Sequence, residues 1–190
     1  MKTSVWCAFC FLCESLFVPA TQAEEIALAS GFDYPVGGSK AEGFYVRHAF
    51  RVGLRTAEIW EGIHGGDTDL GEPVYSIAEG TVVMSHGPGG RWGGVVIVRH
   101  RYRDHDGQIR FVDSLYAHVR NRTVRVGDRV ARGQKIAEIG KGENDRLAAH
   151  LRFEIRKDLS IGLNSSAYPK DLDHYHCPRT FIKERRSVGP

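Results

Sequence analysis

The chain has 190 residues, with 26 Lys+Arg against 23 Asp+Glu and a formal net charge of +3. That length suits one domain with its own core and is short for two. Acids and bases are interleaved along it, which excludes a protein that holds nucleic acid mainly through charge.

Residues 1–23 read as a secretory signal. Lys2 precedes a largely apolar stretch from Val5 to Val18, and Thr21-Gln22-Ala23 supplies small residues for cleavage before Glu24. Glu14 interrupts the stretch, which is too short for a membrane span. A buried N-terminal helix is the competing reading. Cys7, Cys10 and Cys13 are spaced like metal ligands, but they lie in this leader and leave with it. Only Cys177 then remains, so the mature monomer has no internal disulfide. The expected location is secreted or periplasmic, with no stable membrane span once the leader is removed.

Residues 24–186 read as a single domain, followed by a tail at 187–190. Helical periodicity is scarce. The 22 glycines cluster at turns, and β-branched runs recur between them. The expected strands are Pro73–Ile77, Thr81–Ser85, Val95–His100, Arg110–Val119, Thr123–Val126, Lys135–Ile139 and Leu151–Arg156. Glu79-Gly80 separates the first two. Gly87-Pro88-Gly89-Gly90 and Gly93-Gly94 bracket a loop before the third, and Asp104-His105-Asp106-Gly107 makes a hairpin tip after it. The fold class is therefore mainly β and antiparallel, with few helices. Ser160–Pro178 reads as a loop and Arg179–Arg186 as a short tail segment.

Seven stretches carry a further signal through their order and spacing. They are Gly31–Val36, Asp67–Val83 (DTDLGEPVYSIAEGTVV), Trp92–His100 (WGGVVIVRH), Leu115–Val119 (LYAHV), Val126–Ile136 (VGDRVARGQKI), Ala149–Arg156 (AHLRFEIR) and Pro178–Ile182. Together they resemble the lysostaphin-type, LytM-like zinc endopeptidases that cut peptidoglycan, over about residues 31–185. Gly31–Val36 resembles the opening strand of one branch of that family. The resemblance implies a twisted antiparallel sheet with a peptide-binding groove. It also implies a zinc ion held by a His, an Asp four residues on, and the second His of a His-x-His strand. In that family the metal activates water and polarises the peptide carbonyl. Two further histidines, matching His118 and His150 here, orient water and stabilise the oxyanion.

At the metal the sequence departs from the family. The stretch expected to read like His-Leu-Gly-Glu-Asp-Trp-Asn-Gly is here Arg55-Thr56-Ala57-Glu58-Ile59-Trp60-Glu61-Gly62. The shared Glu, Trp and Gly hold the alignment, so Arg55 stands at the His position and Ile59 at the Asp position. The last strand begins His150-Leu151-Arg152, so Arg152 replaces the third ligand. Zinc needs lone pairs, normally from three protein groups in a catalytic site. Ile59 has none, and a guanidinium is always charged and has no acceptor. Arg55 and Arg152 would also put two positive charges near the dication. Like charges ~4 Å apart repel by about 4 kcal/mol at an effective dielectric near 20. The two arginines would instead approximate the missing +2 charge.

The expected function is thus non-catalytic binding. No zinc or other cofactor is expected, and the partners are peptidoglycan stem peptides or a cell-wall hydrolase. Arg55, Arg152, His118 and His150 would form a groove that favours carboxylates, with Arg152→Ala weakening the binding. The alternative is an active peptidoglycan endopeptidase with a displaced zinc held by His64, His118 and His150. His48, His86, His100 and His105 read as structural or exposed. The His174-x-His176 pair with Cys177 reads as a loop coincidence, and Glu154 and Tyr116 as structural. The hairpin around Val126-Gly127-Asp128 also resembles lipoyl carriers, but it lacks their exposed Met-flanked Lys.

Overall fold

The structure, a computed structural model, describes residues 25–51, 55–142, 145–163 and 173–187. The expected leader and nearly all of the expected tail lie outside the described residues. The elements in chain order are β1 (Phe44–His48), β2 (Glu58–Gly62), β3 (Pro73–Tyr75), β4 (Gly80–Gly89), β5 (Gly93–Arg103), β6 (Ile109–Arg120), β7 (Arg129–Val130), β8 (Lys135–Ile139), β9 (Leu151–Arg156), β10 (Tyr175–His176) and α1 (Pro178–Glu184). The described residues form one 10-stranded sheet in the order β1-β2-β9-β6-β5-β4-β7; β10 adds to β9, and β8 joins β3 to β6. These strand pairings are all antiparallel, as expected.

The long strands form where β-branched residues run between glycine turns. The Asp104–Gly107 tip turns the β5–β6 hairpin: Asp104 and Asp106 accept bonds from the backbone N–H of His105 and Gln108, and Gly107 takes φ 79°. β8 and β9 have the expected bounds, whereas β4, β5 and β6 run longer than expected.

Four expectations need correction. Thr123–Val126 is not a strand. There Thr123 N–H bonds Ile136 O, Arg125 N–H bonds the Asp128 carboxylate, and the chain turns at Gly127. Gly31–Val36 forms no strand, and Pro35 and Val36 lie in a bend; isolated backbone bonds tie Asp33 to Ile77 and Tyr75 to Pro35. The segment after Cys177 is a helix, opened by Pro178 in its first turn, and it buries Phe181 and Ile182. Finally, β1 and β2 extend the sheet beyond β9 where no strand was expected.

The sheet has two unlike faces. Leu151, Phe153 and Ile155 of β9, Tyr116 of β6 and Val96 of β5 enter the main core together with Phe181 and Ile182. On β9, Arg152, Glu154 and Arg156 alternate with these residues and belong to the opposite face. A second, smaller cluster of Val95, Ile97, Leu115 and Ala117 lies on that face. The polar face carries the site.

Candidate functional site

Strand register brings the expected positions together. Ile59 of β2 lies opposite Arg152 of β9, and Arg152 lies opposite Ala117 of β6. This row forms the floor of a cavity of about 370 Å³, which Arg55, Ile59, His118, His150 and Arg152 all line. One wall comes from β1 and β2 with Arg47, His48 and Glu61, and the other from the short turn holding Arg91 and Trp92. Leu147 and Ala148, just before β9, complete it. His64 is not part of it. It is exposed on the turn after β2, so the displaced His64–His118–His150 set is not assembled.

The two histidines are coupled and nearly buried. His118 Nδ1 lies 2.8 Å from His150 Nε2, with the rings edge to face. His150 Nδ1–H donates to Ala148 O at 2.7 Å, and His118 Nε2 lies 3.0 Å from Arg91 O. A carbonyl thus terminates each end of the chain, and each needs a donor. Two neutral rings supply two protons for three contacts, so the pair can accept one more. Burial, then the charges of His150 and Arg152, push the His118 pKa down to about 3. Its backbone is left-handed (φ 63°), and Gly142 closes over it. A Cβ at Gly142 would sit 2.6 Å from the imidazole, so only glycine fits there.

Arg152 does not point its charge freely into the groove. Its Nη2 donates to Glu154 at 2.5 Å, and its guanidinium lies 5.3 Å from the Trp92 ring centre. Glu154 is fully buried and also accepts from Thr56 Oγ1 and twice from Arg156. Burial opposes its ionised form, but Arg156 and Arg152 outweigh burial and hold its carboxyl below the usual range. Arg152 is thus tied down, and one carboxylate serves two guanidiniums. Arg47 is likewise paired with Glu61 at 2.7 Å, and Tyr45 also donates to Glu61. Among the described residues no carboxylate pairs with Arg55 or Arg91.

Zinc does not fit this floor. The three positions where the family resemblance expects ligands hold two guanidiniums and an alkyl group, and Glu154 is saturated beneath them. Among the described residues no three His, Cys, Asp or Glu side chains are grouped to hold a metal. His174 pairs with Asp158, while His176 packs on Phe181 and has its pKa lowered by burial to about 4.

Sequence reasoning missed Arg47, His48, Glu61, Arg91 and Trp92. His48 belongs to the groove wall, not to an isolated structural site; burial, then Arg55 and Arg47, lower its pKa. The signal for Arg91-Trp92 was available: a cation beside an aromatic ring in a glycine-bounded turn.

The family profile described as Peptidase family M23 matches residues 59–165, more than half of the chain. Among curated proteins, the Lipoprotein NlpD/LppB homolog of Pseudomonas aeruginosa is 42% identical over 89 residues, 46% of this chain and 26% of that protein. Lipoprotein NlpD of Yersinia enterocolitica is 34% identical over 88 residues, covering 45% of this chain and 78% of that protein. The chain thus spans about a quarter of the length of the first relative. Among solved structures, the SpoIIQ–SpoIIIAH pore-forming complex superposes with a TM-score of 0.57 at 20% identity, over 84% of this chain and 94% of that one. A zinc-containing peptidase from Vibrio cholerae superposes with a TM-score of 0.52 at 24% identity, over 67% of this chain and 37% of that one. These two likenesses show the fold alone.

Proposed function

Because this chain belongs to peptidase family M23, we propose that it is a non-cutting member exported to the cell envelope, where its groove binds the stem peptides of peptidoglycan. Residues 1–23 are its export leader, and the domain at 24–186 works in the periplasm or outside the cell. Binding of this kind would bring a wall hydrolase to its substrate without supplying the chemistry. The observation that carries the reading is the ligand row: Arg55, Ile59 and Arg152 stand where the family places its metal ligands, and Ile59 faces Arg152 across one strand pair. The loss is chemical as well as geometric, because none of the three can donate an electron pair. What remains is a cavity of about 370 Å³ with guanidiniums on both walls, which suits carboxylates. The two relatives named as lipoproteins support an envelope location.

Sedimentation with purified sacculi tests this. The mature protein is expected to pellet with sacculi above an inert control, with no fall in sacculus turbidity over hours. Absence of retention contradicts the binding. Lysis that a chelator stops contradicts the loss of catalysis.

A further inference from the structure

The cavity holds four arginines, and the structure divides them into two kinds. Arg47 is neutralised by Glu61, and Arg152 is held by Glu154 against Trp92. Arg55 and Arg91 have no acidic partner among the described residues, although both line the same cavity. Arg55 is half-buried, where a charge lacking a counter-ion is costly. The resident acid of the wall, Glu61, is already engaged by Arg47 and Tyr45. The two unpaired guanidiniums rise from opposite sides of the floor. Arg55 leads into β2 and Arg91 precedes β5, with β9 and β6 between. Each unpaired guanidinium can take a carboxylate of its own.

We propose that the groove selects a short peptide bearing two carboxylates, one read by Arg55 and the other by Arg91, with Arg152 as a positioning residue. This rests on the peptide-binding reading above and adds the number of acidic groups and the residues that read them. Each arginine presents its planar fork to one carboxylate. Ile59, Leu147 and the Trp92 ring supply apolar contact between them. The cavity lies at the small end of ligand pockets, which limits the bound segment to a few residues. Arg152, by contrast, keeps the floor closed through Glu154 and holds the indole in place.

The test uses the mature protein and the tetrapeptide Ala-Glu-Ala-Ala, titrated with a free C-terminus (two carboxylates) and as its C-terminal amide (one). The free acid is expected to bind about tenfold tighter or more. Of Arg55→Gln and Arg91→Gln, the variant that loses the reader of the C-terminal carboxylate should erase that preference, and the other should weaken binding of both peptides alike. Arg152→Gln should lower Tm yet leave the ratio of the two affinities in place. Equal affinity for acid and amide, or a preference that survives both reader variants, overturns the proposal. If sacculi are still retained in that case, only the two-carboxylate proposal falls. Loss of retention as well removes the wall-binding reading with it.

Discussion

Replacing Glu154 with alanine is expected to remove about 3–5 kcal/mol of stability, the largest effect of any single change in the groove. Glu154 is fully buried and accepts from Thr56 at 3.0 Å, from Arg152 at 2.5 Å and from Arg156 at 2.9 and 2.7 Å. Arg156 is itself only 2% exposed. Deleting the carboxylate leaves that guanidinium buried with, among the described residues, only the Gly162 carbonyl to meet it. Arg152, released as well, would swing from Trp92 and open the floor. Glu154→Gln keeps the shape and loses only the charge, so it should fall between wild type and Glu154→Ala. Urea unfolding of the three proteins at pH 7 measures this. A loss below about 1 kcal/mol for Glu154→Ala would mean that the network does not hold the floor.

Acid is expected to weaken the domain well above the carboxylate range. His100 is fully buried, and burial lowers its pKa to about 4 against the partial opposition of its bond to Glu79. Its Nδ1–H donates to Glu79 O at 2.9 Å, and its Nε2 accepts from Ser114 Oγ at 2.7 Å. The packing is tight, since a Cβ at Gly80 would lie 2.8 Å from that Nδ1. The folded pKa lies below the unfolded value of 6.5, so between pH 6.5 and 4 the unfolded chain binds the extra proton. The stability that neutral His100 allows is complete above pH 6.5 and falls as pH drops towards 4, by about 3 kcal/mol at pH 4. His118 and His176, lowered to about 3 and about 4, act in the same direction. Unfolding free energies at pH 7, 6 and 5 should therefore fall, most between pH 6 and 5, each such histidine adding at most about 1.4 kcal/mol per pH unit below pH 6.5. His100→Gln should flatten the profile by one such increment, even if less stable at pH 7. A flat profile from pH 7 to 5 would show that these histidines are not held neutral.

Much of the fold was legible because its strands announce themselves locally. Lys135–Ile139 and Leu151–Arg156 alternate or run apolar between turn residues, and both formed as expected. Thr123–Val126 shows the limit of that reasoning. It has β-branched residues in a strand-like run, but the Asp128 side chain captures the Arg125 N–H and Gly127 turns the chain. The seven residues of α1 are too few to show a helical period, and they draw their stability from burial of Phe181 and Ile182 and from the Arg179 bond to Glu58. β1 and β2 depend on pairings far along the sequence, which no local window contains.

The site divides in the same way. Glu58, Trp60 and Gly62 fixed the alignment that put Arg55 and Ile59 at ligand positions, and strand register then placed Ile59 opposite Arg152. The charge state of the groove was less visible. Glu154 lies two residues from Arg152, hence on the same strand face, and that spacing was a readable sign that Arg152 is neutralised. Arg47 and Arg91 reach the cavity from β1 and from the β4–β5 turn, so only the folded chain brings them together.

The zinc content of the mature protein, purified without chelator and equilibrated with micromolar zinc, bears most directly on the loss of the catalytic metal. The ligand row predicts well under one ion per chain, unchanged by His118→Ala or His150→Ala. One ion per chain that either substitution removes would contradict it.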